Sequence, residues 1–264
     1  STIHLLWSSE PDNGIYNAMN KGIEIALGKR IVNSFNRSEL VEDKNKGCEM
    51  GINAFNRSER SDDKNRGIQR ATGDYIQILN SGDLLTAPDV TERMMNALQV
   101  KGEEVELLYG NMVKYDYQNS RTLGKSTEVE YSLRQYYTST MNHDCCYIRR
   151  NLFETYGLYD ESLKIVSDWK WFLQTIGLGK VKPIYVDIDV TIFDASGISE
   201  TNLALRNQER RQVLAELMPP AVLADYDAHA FEMEQMKRLR RWKLYGLVYF
   251  MERVCFKLEK WFRR

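Results

Sequence analysis

Apolar positions along the chain come in short runs separated by longer stretches of mixed character. Ile3 to Trp7 is a brief apolar run that stops at Ser8-Ser9-Glu10, and Tyr75 to Leu79, β-branched and aromatic, stops at Asn80-Ser81-Gly82-Asp83. Both runs have the composition of buried strands with loops at their carboxyl ends. Pro88 to Leu98 suits a helix with Asp89 near its start, Leu107 to Tyr117 a strand and turn, and Asn151 to Tyr156 a short helix stopped by Gly157. Asp168 to Ile176 reads as a helix with Trp169, Phe172 and Leu173 inward, and Ile184 to Phe193 alternates as a half-buried strand does before Asp194 to Ser199. This order of strands and helices predicts an α/β fold with a mixed or parallel sheet covered by helices.

The pattern changes after Asn202, where the chain is expected to be helical throughout with one break at Pro219-Pro220. The last stretch has an apolar stripe, Leu244, Val248, Met251, Cys255, Leu258 and Phe262, spaced by fours and threes, with Arg253, Lys257, Lys260 and Arg264 opposite it. Trp242, Tyr245, Tyr249 and Trp261 add aromatic residues suited to an interface. The predicted organisation is a catalytic-type domain over residues 1–205 and a basic, helical, amphipathic region over 206–264.

One internal repeat interrupts the first domain. Phe-Asn-Arg-Ser-Glu occurs at Phe35 to Glu39 and again at Phe55 to Glu59, and Asp43 to Gly47 returns as Asp63 to Gly67, each pair twenty residues apart. Asn20 to Gly28 also echoes Asn65 to Gly73. The segment from Lys29 to Arg70 is too charged to stack as a solenoid, so it is expected to be a local duplication forming one or two exposed helices or a mobile excursion.

Composition narrows the class. With 264 residues, 43% hydrophobic, 28% charged and only 5 Pro, the chain can bury a sizeable core and is neither collagen-like nor wholly disordered. Its net charge of −1 hides an asymmetry. Residues 237–264 hold ten Lys and Arg against Glu252 and Glu259, a net of +8, whereas residues 1–236 hold 26 basic against 35 acidic residues, a net of −9. A basic end on an acidic body fits either an anionic membrane surface met through residues 237–264 or a helix packed on its own domain with a solvated basic side, and no nucleic acid is expected because the body is acidic. The cysteines, Cys48, Cys145, Cys146 and Cys255, form no Cys-x-x-Cys pair and fit a reducing compartment. The densest apolar run, Tyr245 to Met251, has seven residues, far below the about eighteen that cross a bilayer. The expected location is the cytoplasm, peripheral on the inner face of the membrane.

Three residues could carry chemistry. Asp83, with Asn80 and Ser81, follows a buried strand, where an open α/β sheet binds ligands and where a hard cation takes oxygen donors; the same residues also make an ordinary turn. Asp168 either opens its helix as a cap, a role Ser167 could share, or serves as a general base beside Trp169. His143, one of 3 His residues, is either structural or an acceptor-side contact.

Four ordered blocks, Ser9 to Ile23, Ala71 to Leu85, Asn142 to Leu173 and Asp189 to Ser199, resemble the family 2 glycosyltransferases. The resemblance implies a partial A-type glycosyltransferase fold, a Rossmann-like mixed sheet flanked by helices. It further implies inverting transfer of a sugar from a nucleotide diphosphate sugar donor to a glycan or lipid-linked acceptor, in bacterial cell-surface polysaccharide synthesis. A divalent metal, Mn2+ or Mg2+, would bridge the donor diphosphate. Asp83 matches the metal-binding Asp of the family, with Asn80 where many relatives have a first Asp, and Asp168 matches the catalytic base. Asp12, Asn20 and Lys21 match a segment lining the donor site, and His143 falls on the acceptor side. Relatives also have Asp where this chain has Asn17, and they open with a nucleotide-binding βαβ unit that this chain is expected to lack. A second expectation is therefore kept: an inactive remnant acting as an interaction or membrane-surface module.

Overall fold

The computed structural model describes residues 12–29, 32–33, 51–55, 68–69, 73–80, 82–102, 104–128, 132–194, 201–242 and 244–262. The predicted first strand, Ile3 to Trp7, lies outside them, as do Ser81 and most of the duplicated segment. The chain divides into two compact units, residues 1–213 and 214–264.

Unit 1 is built on a mixed sheet, as the α/β reading expected. Its strands in chain order are β2 (Gly51–Phe55), β4 (Tyr75–Leu79), β5 (Leu84–Leu85), β6 (Leu107–Asp116), β7 (Arg121–Lys125), β8 (Cys146–Arg149) and β9 (Pro183–Asp194). They lie in the order β2-β4-β8-β6-β9-β5, with β7 paired to β6. β8 runs antiparallel to both β4 and β6, and β6 runs parallel to β9. Hence β4, β6 and β9 all point one way, and their carboxyl ends share an edge with the amino end of β8.

The helices of this unit are α1 (Ile15–Ala26), α2 (Val90–Lys101), α3 (Leu133–Thr138), α4 (Arg150–Tyr156), α5 (Ser167–Phe172) and α6 (Leu203–Leu217). α2 starts two residues after Pro88, as its pattern predicts, and buries Val90 and Met94 against Tyr75, Leu108, Met112, Tyr147 and Val190 on one face of the sheet. Strand alternation sends Ile76, Ile78 and Ile148, all buried, to the other face, where α1 packs beside β4. Tyr16, Met19, Ile23 and Ala26 form the buried stripe of α1 at helical spacing. A second apolar centre surrounds Trp171, which stacks on Phe153 at 4.8 Å and meets Tyr159 edge-on.

Two expectations are corrected. The segment Lys29 to Arg70 is not simply exposed helix or excursion: Gly51–Phe55 is the edge strand of the main sheet, paired antiparallel along β4 from Gly51↔Leu79 to Phe55↔Tyr75. Val32–Asn33 (β1) pairs with Ile68–Gln69 (β3) in a separate ribbon. An edge strand needs backbone partners on one side only, which a segment poor in apolar residues can still provide. The C-terminal region is also broken twice, not once: α6 is followed by α7 (Pro220–Arg240) and α8 (Tyr245–Phe262). The second break falls at Arg241–Leu244, where no Pro or Gly announces it.

β9 is irregular opposite Gly110, and a Cβ there would come within 2.5 Å of the Ile188 carbonyl oxygen and 2.6 Å of Val190 Cγ2. Neither neighbour sits at the end of a flexible side chain. Gly110→Ala is expected to cost about 1–3 kcal/mol by overpacking, read as a lower urea midpoint at an unchanged slope; an unchanged midpoint would mean that β9 yields freely.

Candidate functional site

The shared edge gathers the candidate residues. β4 ends in a turn in which the Asp83 N–H donates to the Asn80 carbonyl at 3.1 Å. Gly82 holds φ at 98°, a value that favours glycine. Asp83 Oδ1 accepts from the backbone N–H of Asp194, the last residue of β9, at 3.3 Å. The turn is thus tied across the edge to the end of β9.

A short 3-10 turn, His143–Cys145, leads into β8 at the same edge. Gln77 of β4 donates its side-chain amide to the Asp144 carbonyl at 2.8 Å, and the Thr191 hydroxyl of β9 donates to Asp144 Oδ2. The turn is held from both sides, which fixes the aim of the adjacent imidazole. His143 Nδ1 donates to Asp168 Oδ2 at 3.1 Å, and Nε2 lies 3.1 Å from Asn80 Nδ2. His143 therefore bridges the turn after β4 to the start of α5.

Asp168 is not a cap. α5 begins without any side-chain capping hydrogen bond. The preceding loop is instead held by Glu209 of α6, a buried carboxylate that accepts the backbone N–H groups of Lys164, Ile165 and Val166 at 2.8, 2.9 and 3.3 Å. Released from capping, Asp168 takes the Tyr16 hydroxyl of α1 on Oδ1 at 2.8 Å. The Asp168 side chain keeps 16% of its surface exposed and that of His143 keeps 13%. Four segments that are remote in sequence, α1, the turn after β4, the turn before β8, and α5, converge on one carboxylate.

Burial alone would push the Asp168 carboxyl up. The hydrogen bond and charge of His143, with the Tyr16 hydroxyl, outweigh burial and hold it below the ordinary Asp value. Burial likewise disfavours the charged form of His143, but Asp168 first, then Asp144 and Asp83, raise its pKa. The Tyr16 hydroxyl is pushed well up, by burial and then by Asp168, so it stays a donor. Asn80 presents its Nδ2 to His143 Nε2, which leaves its Oδ1 buried and without a hydrogen-bond partner among the described residues. Asp144 is raised by burial. Asp83 is raised to about 6, by burial first and then by the charge of Asp144.

The other sequence candidates lie apart from this cluster or are otherwise engaged. Asp12 accepts the Gly14 N–H at 3.0 Å at the start of α1. Asn20 is buried, donating to the Tyr159 carbonyl at 2.8 Å and to Glu161 at 2.9 Å, while its Oδ1 accepts the Tyr159 N–H. Its amide ties α1 to the loop before α5, helped by Asn17, which donates to Glu161 at 2.8 Å. Lys21 is half-buried on α1, and Ser81 lies outside the described residues. Trp169 is 2% exposed, donates its indole N–H to the Tyr136 carbonyl at 2.8 Å, and carries the Arg210 guanidinium 4.8 Å above its ring. It anchors α5 and leaves little surface to meet a ligand.

Tyr16, Asp144 and Glu209 were not singled out from the sequence. Asp144 had a signal, its place beside His143 before a strand; Tyr16 and Glu209 had none beyond their helical positions. Among the described residues no group of three or more His, Cys, Asp or Glu side chains is placed to hold a metal ion. In the turn after β4, Asp83 Oδ2 and Asn80 Oδ1 are buried and lack hydrogen-bond partners among the described residues. Both are hard donors, and a cation that also binds phosphate oxygens needs only one or two from the protein. Comparison with known proteins adds no assignment: no family model matches the chain, and no curated protein matches it.

The raised Asp83 pKa has a thermodynamic consequence. The folded state binds this proton more tightly than the unfolded chain, so the contribution is fully present below about pH 4 and is lost as pH rises through about 6. Asp83→Asn is expected to stabilise the protein at pH 8 by about 1–2 kcal/mol, after discounting for partial exposure, and to change little at pH 4. Denaturant midpoints at the two pH values check this; an equal effect at both would show that the carboxylate charge carries no cost.

Proposed function

We propose that the chain is an inverting, metal-dependent glycosyltransferase of the A-type fold, similar to family 2, that moves a sugar from a nucleotide diphosphate sugar to a glycan or lipid-linked acceptor of bacterial cell-surface polysaccharide synthesis. The observation that carries the reading is the Asn80–His143–Asp168 bridge, which puts the proposed base within one imidazole of the turn bearing Asp83.

Asp168, held ionised, accepts the proton of the acceptor hydroxyl. The acceptor oxygen then forms its bond to the anomeric carbon from the face opposite the departing group. The bond from that carbon to the diphosphate breaks, the electron pair leaves with the phosphate oxygen, and configuration inverts. Tyr16 and His143 orient the carboxylate and keep it charged in a mostly buried place. Asp83 and Asn80 would hold the divalent cation, Mn2+ or Mg2+, which when bound supplies the countercharge for the leaving nucleoside diphosphate.

The test is release of nucleoside diphosphate from uridine and guanosine diphosphate sugars with Mn2+. Asp168→Asn is expected to lower turnover by about 10²–10⁴-fold, the usual worth of a positioned base. His143→Gln removes what holds the Asp168 pKa down, so the acidic limb of the kcat/KM profile should move toward neutral pH. Unchanged turnover in Asp168→Asn rejects Asp168 as base, and the absence of both turnover and metal-dependent nucleotide binding by calorimetry favours the inactive module.

A further inference from the structure

Unit 2 carries an apolar surface that its own helices leave uncovered. Leu244, Leu247, Val248, Met251 and Val254 recur by threes and fours along one side of α8, with Phe250 at its flank, and all six are exposed. Leu244 is 66% exposed and Phe250 64%. Just before the helix Trp242 is 68% exposed. Single exposed apolar residues need no explanation, but a contiguous stripe of this size on one helix does.

The charge around the stripe says what covers it. Lys237, Arg238, Arg240, Arg241 and Lys243 precede the stripe in sequence and Lys257, Lys260, Arg263 and Arg264 follow it, within a segment of net charge +8. Among the described residues no helix is long and apolar enough to cross a membrane. α8 has 18 residues, so it extends about 27 Å. A second copy would set the same +8 segment against its own, and a nucleic acid would satisfy the charge without covering the stripe. An anionic lipid surface satisfies both.

We infer that α8 docks in the plane of an anionic lipid surface, its apolar stripe at the boundary of headgroups and acyl chains and its basic flanks at the level of the lipid phosphates. The inference does not rest on glycosyl transfer, since docking needs neither donor nor acceptor.

The test is co-sedimentation of the full chain with vesicles of phosphatidylcholine alone and of phosphatidylcholine with phosphatidylglycerol. The chain should pellet with the anionic vesicles only, and high salt should release it as charge is screened. Leu247→Glu with Phe250→Glu should lower the partition about tenfold or more by removing inserted apolar area. Arg240→Glu with Arg241→Glu should lower it by a similar factor, because each basic residue near such a surface is worth about fivefold. All four positions are exposed, so circular dichroism should show unchanged helicity. Equal pelleting with phosphatidylcholine alone, or a partition indifferent to the apolar variant, overturns the proposal. So does a failure to pellet combined with a dimer in sedimentation velocity that the apolar variant dissolves, or with RNA binding that the variant leaves intact.

Discussion

The buried pair between His143 and Asp168 is the constraint on which the site depends. A carboxylate this enclosed would ordinarily take up a proton, since an uncompensated charge in a low-dielectric place costs several kcal/mol. The imidazole 3.1 Å away reverses the outcome, and the Tyr16 hydroxyl completes the shell. Each partner favours the charged form of the other. The pair therefore requires that α1, α5 and the turn before β8 be in register at once. The network outside it serves that register: Glu209 holds the loop ahead of α5, Asn20 and Asn17 tie α1 to the same stretch, and Gln77 and Thr191 clamp the turn at Asp144.

Sheet direction explains why these pieces meet. With β4, β6 and β9 running together and β8 against them, three strand ends and one strand start fall on one edge. Ligand crevices of α/β sheets lie at such an edge because loops there can carry polar groups that strand interiors cannot. β8 is the informative exception. It enters the sheet from the edge where β4, β6 and β9 end, and that reversal puts His143 and Asp144 beside Asp83.

Much of this was legible in the sequence. The runs at Tyr75 to Leu79 and Ile184 to Phe193 became β4 and β9, Pro88 to Leu98 became α2, and the α/β class followed from their order. Asp83, His143 and Asp168 stood out because each sits at a boundary between an apolar run and a polar turn. What was not legible was long-range pairing. Nothing local marks Gly51–Phe55 as a strand, because a two-sided apolar pattern is unnecessary at an edge. Trp169 looked like a site residue because aromatics beside a carboxylate often line pockets, but its indole N–H had a backbone partner 33 residues away that no spacing announces. Asn20 entered only through the family resemblance, as part of a segment lining the donor site, and its amide is engaged by the backbone of Tyr159.

Charge at the edge supplies a last argument for how a ligand could enter. Asp83, Asp144 and Asp168 bring three carboxyls close to the His143 imidazole. Burial raises the pKa of Asp144 and of Asp83, the latter to about 6, while that of Asp168 is held down by His143. A nucleoside diphosphate, itself anionic, would be repelled by the deprotonated edge and would gain nothing from the protonated one. On the proposed reading a divalent cation would offset that repulsion, because the edge is acidic and carries unpartnered oxygens on Asn80 and Asp83. The same bookkeeping gives Asp83 and Asp168 opposite roles despite their common chemistry. On that reading Asp83 would serve a cation, while Asp168, paired with His143, would serve a proton.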